Sequence, residues 1–181
     1  MMRGAAVLAL MLAAAPIHAS PPPEPADFRG EPYDAPVPET LAGATVLDSE
    51  TAAVWQADGA TLIDVMPQIR RPERLPAETL WRTPGHDTIP GAVWLPGAGY
   101  ERLASQTESA FYTALDRLTG DDRAAPLVFF CKADCWMSWN AARRAILRGH
   151  SRVGWFPGGT DDWLAFHGTL EPVHPFADIP D

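Results

Sequence analysis

Short apolar runs alternate with helical patterns along most of this chain, and this alternation restricts the folds that it can adopt. The runs are about four residues long, which is typical of a strand and too short for a buried helix. They cover residues 61–65, 92–95, 127–130 and 153–156, after a first strand that is expected to end near Leu47. Strands that alternate with helices indicate an α/β fold, with five parallel strands in a central sheet and helices on both of its faces.

The segments between these runs have recognisable helix ends or faces. Asp48 or Ser49 can cap a short helix after the first strand. Residues 107–118 have the apolar spacing of an amphipathic helix, and residues 140–148 predict another helix after the fourth run. The chain is long enough to form one compact domain around a single core.

Both cysteines of the chain stand where an apolar strand runs into a helix. Cys131 follows residues 127–130, and Cys135 comes four residues later. Loop N–H groups and a helix N-terminus stabilise negative charge, so we expect Cys131 to be the low-pKa nucleophile and Cys135 the resolving thiol. Their Cα atoms could lie about 6 Å apart, within the range of a disulfide. Both could instead be small buried hydrophobes or a structural disulfide.

The first 19 residues predict a secretory signal peptide. Arg3 precedes an apolar run over residues 5–15, and the small Ala19 suits cleavage. That run is shorter than the roughly 20 residues that a membrane-spanning helix needs. We therefore expect a mature protein without a membrane span, in an oxidising compartment.

The rest of the chain divides by composition. Residues 20–43 are rich in proline and poor in aliphatic side chains, which predicts a linker or a strap along the domain. The domain itself is expected at residues 44–171, followed by a C-terminal tail at residues 172–181. The formal net charge of −9 does not favour nucleic acid as a partner.

Four segments, taken in order, resemble the rhodanese-like domain. They are TLIDV at residues 61–65, GHDTIPGAVWLP at 85–96, the cysteine loop, and VGWFPGGTDDW at 153–163. The segments CKADCWMSWNAA and YDAPVPETLAGA are similar to a narrower group, the periplasmic rhodanese-like proteins named for a CXXCW motif. That group is associated with catabolism dependent on pyrroloquinoline quinone (PQQ). In this chain the cysteines stand as C-x-x-x-C-W, one residue wider than the motif.

The resemblance implies a catalytic cysteine at Cys131, which would accept a sulfane sulfur as a persulfide and pass it to a nucleophile. With Cys135 beside it, sulfur transfer or thiol–disulfide exchange follows. An acidic Asp134 opposes a small dianionic donor such as thiosulfate, and Lys132 offsets part of that charge. The expected substrate-binding loop consists of Lys132, Ala133, Asp134, Trp136, Met137 and Ser138.

The narrower resemblance also implies a cellular context. It places the protein in the periplasm, in support of PQQ-dependent alcohol catabolism. The implied partners are a quinoprotein dehydrogenase or its cytochrome c, together with a small thiol or sulfane-sulfur donor.

Charged residues elsewhere could support this site. Asp64, at the end of the second run, is expected to brace the loops by hydrogen bonding. Residues 66–84 form a long connection broken by prolines, which should hang over the strand ends near Cys131. It is either a solvated loop or a candidate anion-binding rim, because arginine forks suit oxyanions. The rim would consist of Arg70, Arg71, Arg74 and Arg82.

Three classes of function stay open. The first is a thiol enzyme that works through Cys131 and Cys135. The second is a non-catalytic accessory factor that docks on a quinoprotein dehydrogenase system. The third is a Cu(I) carrier that uses the two thiolates, against which count Asp134 and the lack of a methionine cluster around the loop. The histidines have no ligand spacing with the cysteines, so the sequence predicts neither a zinc site nor a bound cofactor.

Overall fold

The computed structural model describes residues 20–176. The expected signal peptide, at residues 1–19, lies outside the described residues, as do residues 177–181. Between residues 20 and 176, no helix combines the length and the apolar character needed to cross a membrane.

Strands and helices alternate through the domain in chain order. The strands are β1 (Ala44–Val46), β2 (Thr61–Asp64), β3 (His86–Thr88), β4 (Val93–Trp94), β5 (Leu127–Phe130), β6 (Val153–Phe156) and β7 (Glu171–Val173). The helices are α1 (Ser49–Ala57), α2 (Ser105–Thr119), α3 (Trp136–Leu147) and α4 (Gly159–His167).

The predicted five-stranded parallel sheet is confirmed, in the order β1-β6-β5-β2-β4. Successive residues of β5 serve opposite faces of this sheet. Phe129 enters a core with α2 and α3, whereas Val128 and Phe130 enter a second core with α1 and α4. Helices on both faces explain why β5 reads as an unbroken apolar run.

Two of the predicted helices are confirmed. Asp48 is the N-cap of α1, and its carboxylate accepts the N–H of Thr51 at 2.8 Å in a capping box. Helix α2 covers Ser105–Thr119 and buries Phe111 and Leu115 in the first core. Local capping and apolar spacing were therefore sufficient to place these helices.

The start of the third helix was predicted wrongly. Helix α3 begins at Trp136, not at residue 140, and Cys135 is its N-cap residue. The N–H of Trp136, one of the groups that a helix leaves without an internal partner, donates to the carbonyl of Tyr33 at 2.9 Å. A contact distant in sequence therefore supports the first turn, and the loop after β5 shrinks to residues 131–135.

Two elements lie outside the sequence-based scheme. Strands β3 and β7 pair in an antiparallel ribbon beside the main sheet. Helix α4 follows a tight turn in which Gly159 has φ of +53°. A Cβ atom on Gly159 would come within 2.3 Å of the carbonyl oxygen of Cys131, so only glycine allows α4 to approach the cysteine loop.

Residues 20–43 lie against the domain and are called the strap below. Asn140 of α3 fixes the strap's first half, because its side chain accepts the N–H of Arg29 and donates to the carbonyl of the same residue, both at 2.9 Å. The indole N–H of Trp139 donates to the carbonyl of Thr40 at 3.2 Å in the strap's second half. The strap therefore runs along α3 and reaches the cysteine loop.

Candidate active site: a covered thiol pair

The two cysteines lie at the carboxyl end of the sheet, where chemistry is expected in a parallel α/β fold. Cys131 directly follows β5 and Cys135 immediately precedes α3. Their exposed fractions are 1% and 5%, and both are free thiols. Asp64 ends the neighbouring strand β2, in register with Phe130. The fold thus brings together Cys131, Cys135 and Asp64.

Helix α4 holds the cysteine loop from the side of β6. The N–H of Thr160 donates to the carbonyl of Cys131 at 2.9 Å. The carboxylate of Asp161 accepts the N–H of Ala133 at 2.9 Å. Asp134 takes a positive φ of 53°, which closes the loop back toward α3. These contacts place Cys135 over the start of its helix.

The two thiols have different surroundings, which shift their pKa values in opposite directions. A hydrogen bond from Cys131 lowers the pKa of Cys135, and the N–H groups of Met137, Ser138 and Lys132 act in the same direction against the effect of burial. The same hydrogen bond raises the pKa of Cys131 well above its usual value, and burial and the charge of Asp64 raise it further.

The order of ionisation is therefore opposite to the one expected from the sequence. The sequence argument gave Cys131 the benefit of the helix N-terminus, but the helix begins directly after Cys135. The positive end of the helix dipole stabilises a thiolate at that position. Cys135 is the more readily ionised thiol of the pair.

Asp64 connects three loops through its buried carboxylate. One oxygen accepts the N–H of Met66 at 2.8 Å. The other accepts the hydroxyl of Thr88 at 2.6 Å and contacts Nε2 of His86 at 2.7 Å. The ring of His86 also packs on Trp94, with centroids 4.4 Å apart. Asp64 thus braces the start of the long connection against strand β3.

A sulfur atom from that connection reaches the thiols. The Sγ of Cys131 lies 3.5 Å from the Sδ of Met66. The backbone of Met66 makes two hydrogen bonds. Its N–H donates to Asp64, and its carbonyl accepts the indole N–H of Trp94 at 2.6 Å. Sequence reasoning missed Met66, although its position just beyond the end of β2 was a usable signal, since parallel strands deliver side chains to one edge.

The strap covers the thiols from the solvent side. The N–H of Ala35 donates to the carbonyl of Asp134 at 3.0 Å, and Asp34 and Cys135 form an antiparallel bridge. The indole N–H of Trp136 donates to the carbonyl of Pro36 at 3.1 Å. A substrate therefore reaches the thiols only when the strap moves away or changes its conformation around the substrate.

Lys132 forms an ion pair with a residue of the strap. Its ammonium lies 2.7 Å from the carboxylate of Asp34, which raises the pKa of Lys132. Asp134 is exposed, and Ala133 lies between these two charged residues. The positive charge expected to offset Asp134 is thus already paired within the protein.

The remaining residues of the expected substrate loop belong to α3. Trp136, Met137 and Ser138 are all buried in its first turn. The hydroxyl of Ser138 donates to the carbonyl of Cys135 and accepts the indole N–H of Trp155, each at 3.0 Å. These three side chains hold the helix in place instead of lining an open loop.

The four arginines of the expected rim have different surroundings. The guanidinium of Arg71 donates to the carbonyls of Leu75, Pro76 and Thr79 within its own segment. Its role is therefore to shape the connection. Arg70, Arg74 and Arg82 are exposed.

Arg70 lines a cavity of about 110 Å³, together with Tyr100 and Arg102. Neither cysteine is part of that lining. The sequence reasoning missed Arg102, which belongs to a different loop. Arg70, a predicted rim residue, thus shares a cavity with Arg102, which was not predicted, and this cavity is separate from the thiol site.

Comparison with known proteins finds one family model and several solved structures that are similar to this chain. The family model described as the rhodanese-like domain matches residues 49–166. A polysulfide-sulfur transferase from Wolinella succinogenes is 22% identical, with 73% of this chain and 80% of that chain covered and a TM-score of 0.43. A human single-domain sulfurtransferase is 25% identical, with 69% and 97% covered and a TM-score of 0.41. An uncharacterised protein from Saccharomyces cerevisiae is 20% identical, with 69% and 94% covered and a TM-score of 0.41. No curated protein sequence matches the chain.

Proposed function

The chain belongs to the rhodanese-like family, and on that premise we propose that it is a thiol protein that uses Cys131 and Cys135 for sulfur transfer or thiol–disulfide exchange. The observation that carries the proposal is the unequal thiol pair at the carboxyl end of β5. One thiol has a lowered pKa at a helix N-terminus, and the other follows β5 at the opposite end of the same loop; both are buried. A nucleophile and a resolving group are thus held in one loop.

The first step is attack by the Cys135 thiolate on the outer sulfur of a persulfide donor. A new S–S bond forms on Cys135 as the donor's S–S bond breaks, and the donor leaves as a thiolate. An acceptor thiolate can then remove the outer sulfur and restore Cys135. Alternatively, Cys131, once deprotonated, attacks the inner sulfur, which gives a Cys131–Cys135 disulfide and hydrosulfide. Restoring the dithiol from that disulfide requires a two-electron thiol reductant.

The charges around the loop favour a weakly charged donor. Lys132 is paired with Asp34, and Asp134 adds an exposed negative charge. A small dianion such as thiosulfate would meet this negative charge without a free cation from the loop. A persulfide of a small thiol, or of a partner protein, carries less charge and suits the site better.

The setting of this activity is part of the proposal. The predicted signal peptide and the resemblance to the CXXCW-motif group support a periplasmic protein in PQQ-dependent alcohol catabolism. A quinoprotein dehydrogenase or its cytochrome c would be the partner. Cell fractionation tests the compartment, and growth of a deletion strain on alcohols tests the pathway. Normal growth of that strain would contradict the pathway assignment.

Intact mass measurement of the purified protein tests the chemistry. The reduced protein is incubated anaerobically with a small persulfide, and the mass is compared with that of the untreated protein. We expect Cys131→Ser to retain one added sulfur, about 32 mass units, because its resolving thiol is gone. Cys135→Ser should gain little.

The wild-type protein should lose the added sulfur with time and two protons with it, as the disulfide forms. If neither single variant differs from the wild type in sulfur loading, the thiols are not catalytic. The non-catalytic docking role would then be favoured.

A further inference from the structure

Three sulfur atoms from two distant parts of the chain meet at the carboxyl edge of the sheet. Cys131 and Cys135 come from the loop after β5, and Met66 follows β2, 65 positions before Cys131. We propose that Cys131, Cys135 and Met66 form a binding site for Cu(I). This function goes beyond sulfur transfer, although it uses the same two thiols.

The three sulfur atoms lie in one part of the core. The S–H of Cys131 donates to the Sδ of Met66 at 3.5 Å, so a lone pair of the thioether already points toward Cys131. Cys131 and Cys135 belong to the same buried core cluster, and Met66 packs against that cluster.

The donor set selects for a soft ion. Thiolate and thioether sulfur are soft ligands, which favour Cu(I) over hard cations. Structural zinc takes four ligands, usually cysteine and histidine. Within residues 20–176, no three His, Cys, Asp or Glu side chains gather in a way that could hold a metal ion. Two thiolates and one thioether therefore fit Cu(I) better than zinc.

The methionine is held in place before any ion arrives. Its N–H is bonded to Asp64 at 2.8 Å, and its carbonyl accepts the indole N–H of Trp94 at 2.6 Å. The backbone on both sides of the Met66 side chain is thus fixed by buried partners. A prearranged ligand loses less conformational entropy on binding.

The charge balance also supports a monovalent ion. Binding of Cu(I) by both thiols releases two protons and leaves one net negative charge on the three-sulfur centre, with no change of oxidation state. The N-terminus of α3 stabilises this charge at Cys135. The strap and the burial of both cysteines keep water and oxidants from the centre.

In the sequence, the absence of a methionine cluster around the cysteine loop was an argument against Cu(I) binding. The structure removes that objection, because the thioether comes from another loop. Asp134, the second objection, is exposed, and its negative charge opposes an anionic donor but not a cation such as Cu(I).

A competition titration tests the site. The reduced wild-type protein is titrated anaerobically with Cu(I) in the presence of a chromophoric Cu(I) chelator. We expect a single ion per chain. Met66→Leu should weaken the affinity at least about tenfold, because changes in the partners of metal ligands already cost about 10–100-fold. Met137→Leu is the matched control, since it removes a buried methionine that packs against Gly99.

X-ray absorption at the copper edge gives a second measurement. We expect a centre with three sulfur neighbours in the wild type and two in Met66→Leu. Equal affinity of Met66→Leu and the wild type, or a centre with two sulfurs in both, would overturn the site. Sulfur loading needs only the thiols, so its failure would leave these results standing. Thermal unfolding of both leucine variants checks that the comparison is made between folded proteins.

Discussion

The backbone N–H of Trp136 donates a hydrogen bond to the carbonyl of Tyr33 at 2.9 Å, so a residue of the strap completes the first turn of helix α3. Cys135, the N-cap residue, has no side-chain cap of its own. The strap therefore supports the helix end that lowers the pKa of the Cys135 thiol, and it covers that thiol as well. Access to the site and its reactivity depend on the same contact.

Loosening the strap should expose the thiols. In Ala35→Pro the N–H that donates to the carbonyl of Asp134 is lost. The bond contributes about 0.5–1.5 kcal/mol. Opening of the strap, and with it the rate of thiol alkylation in the native protein, should rise about two- to tenfold.

Asp34→Asn is the matched control, because its ion pair with Lys132 is largely exposed and should contribute little. Equal alkylation rates in Ala35→Pro and in the wild type would mean that the strap does not limit access to the cysteines.

The sheet could be predicted because its information is local. Strands β5 and β6 are short and mostly apolar, and both are buried along their whole length, as expected for inner strands covered on both faces. The start of helix α1 could be predicted because its N-cap residue, Asp48, directly precedes it in the sequence. These elements carry their signals within a few residues.

The start of α3 and the ribbon of β3 and β7 depend on partners far along the chain. Tyr33 lies about a hundred positions before Trp136, and β3 pairs with a strand that follows the last helix. No local pattern marks such pairings. The order of the two thiols was missed for the same reason, since it follows from where α3 begins and from the position of Asp64 on a neighbouring strand.

Alkylation should distinguish the two cysteines. Since the pKa of Cys135 is lowered and that of Cys131 is raised, Cys135 loses its proton at a lower pH than Cys131. Limited treatment with iodoacetamide should therefore label Cys135 first. Peptide mass mapping reads the sites directly. Earlier labelling of Cys131 would restore the order that the sequence alone suggested.

The stability of the fold should depend on His150 in mildly acidic solution. Burial and the charge of Arg123 lower the pKa of this histidine below 6.5, while Asp116 opposes them. The Nη1 of Arg123 lies 3.2 Å from Nε2 of His150, which favours the neutral ring. Below pH 6.5 the unfolded chain takes up a proton that the folded chain resists, so stability falls as the pH decreases through this window.

Chemical denaturation at several pH values measures this effect. His150→Gln should flatten the loss of unfolding free energy below pH 6.5, relative to the wild type. His174→Gln, at an exposed position, is the matched substitution. Identical pH profiles for His150→Gln and the wild type would show that the histidine titrates alike in both states.

Gly159, beside the cysteine loop, should tolerate substitution poorly. Its φ of +53° lies in the left-handed region, and an added Cβ would come within 2.3 Å of the carbonyl oxygen of Cys131. Gly168 provides the control, because its φ is +75° but an added Cβ would meet nothing within 4 Å. Gly168→Ala should cost about 1 kcal/mol of unfolding free energy, the conformational term alone.

Gly159→Ala pays the same conformational term and must also push α4 away from the cysteine loop. We expect a loss at least about 1 kcal/mol larger than that of Gly168→Ala, within the range of buried clashes. Because α4 holds Cys131 and Ala133 through Thr160 and Asp161, the shift should also alter thiol alkylation in the native protein. Equal losses of unfolding free energy in the two variants would mean that α4 can shift without an energetic cost. Its contact with Cys131 would then not position the thiol pair.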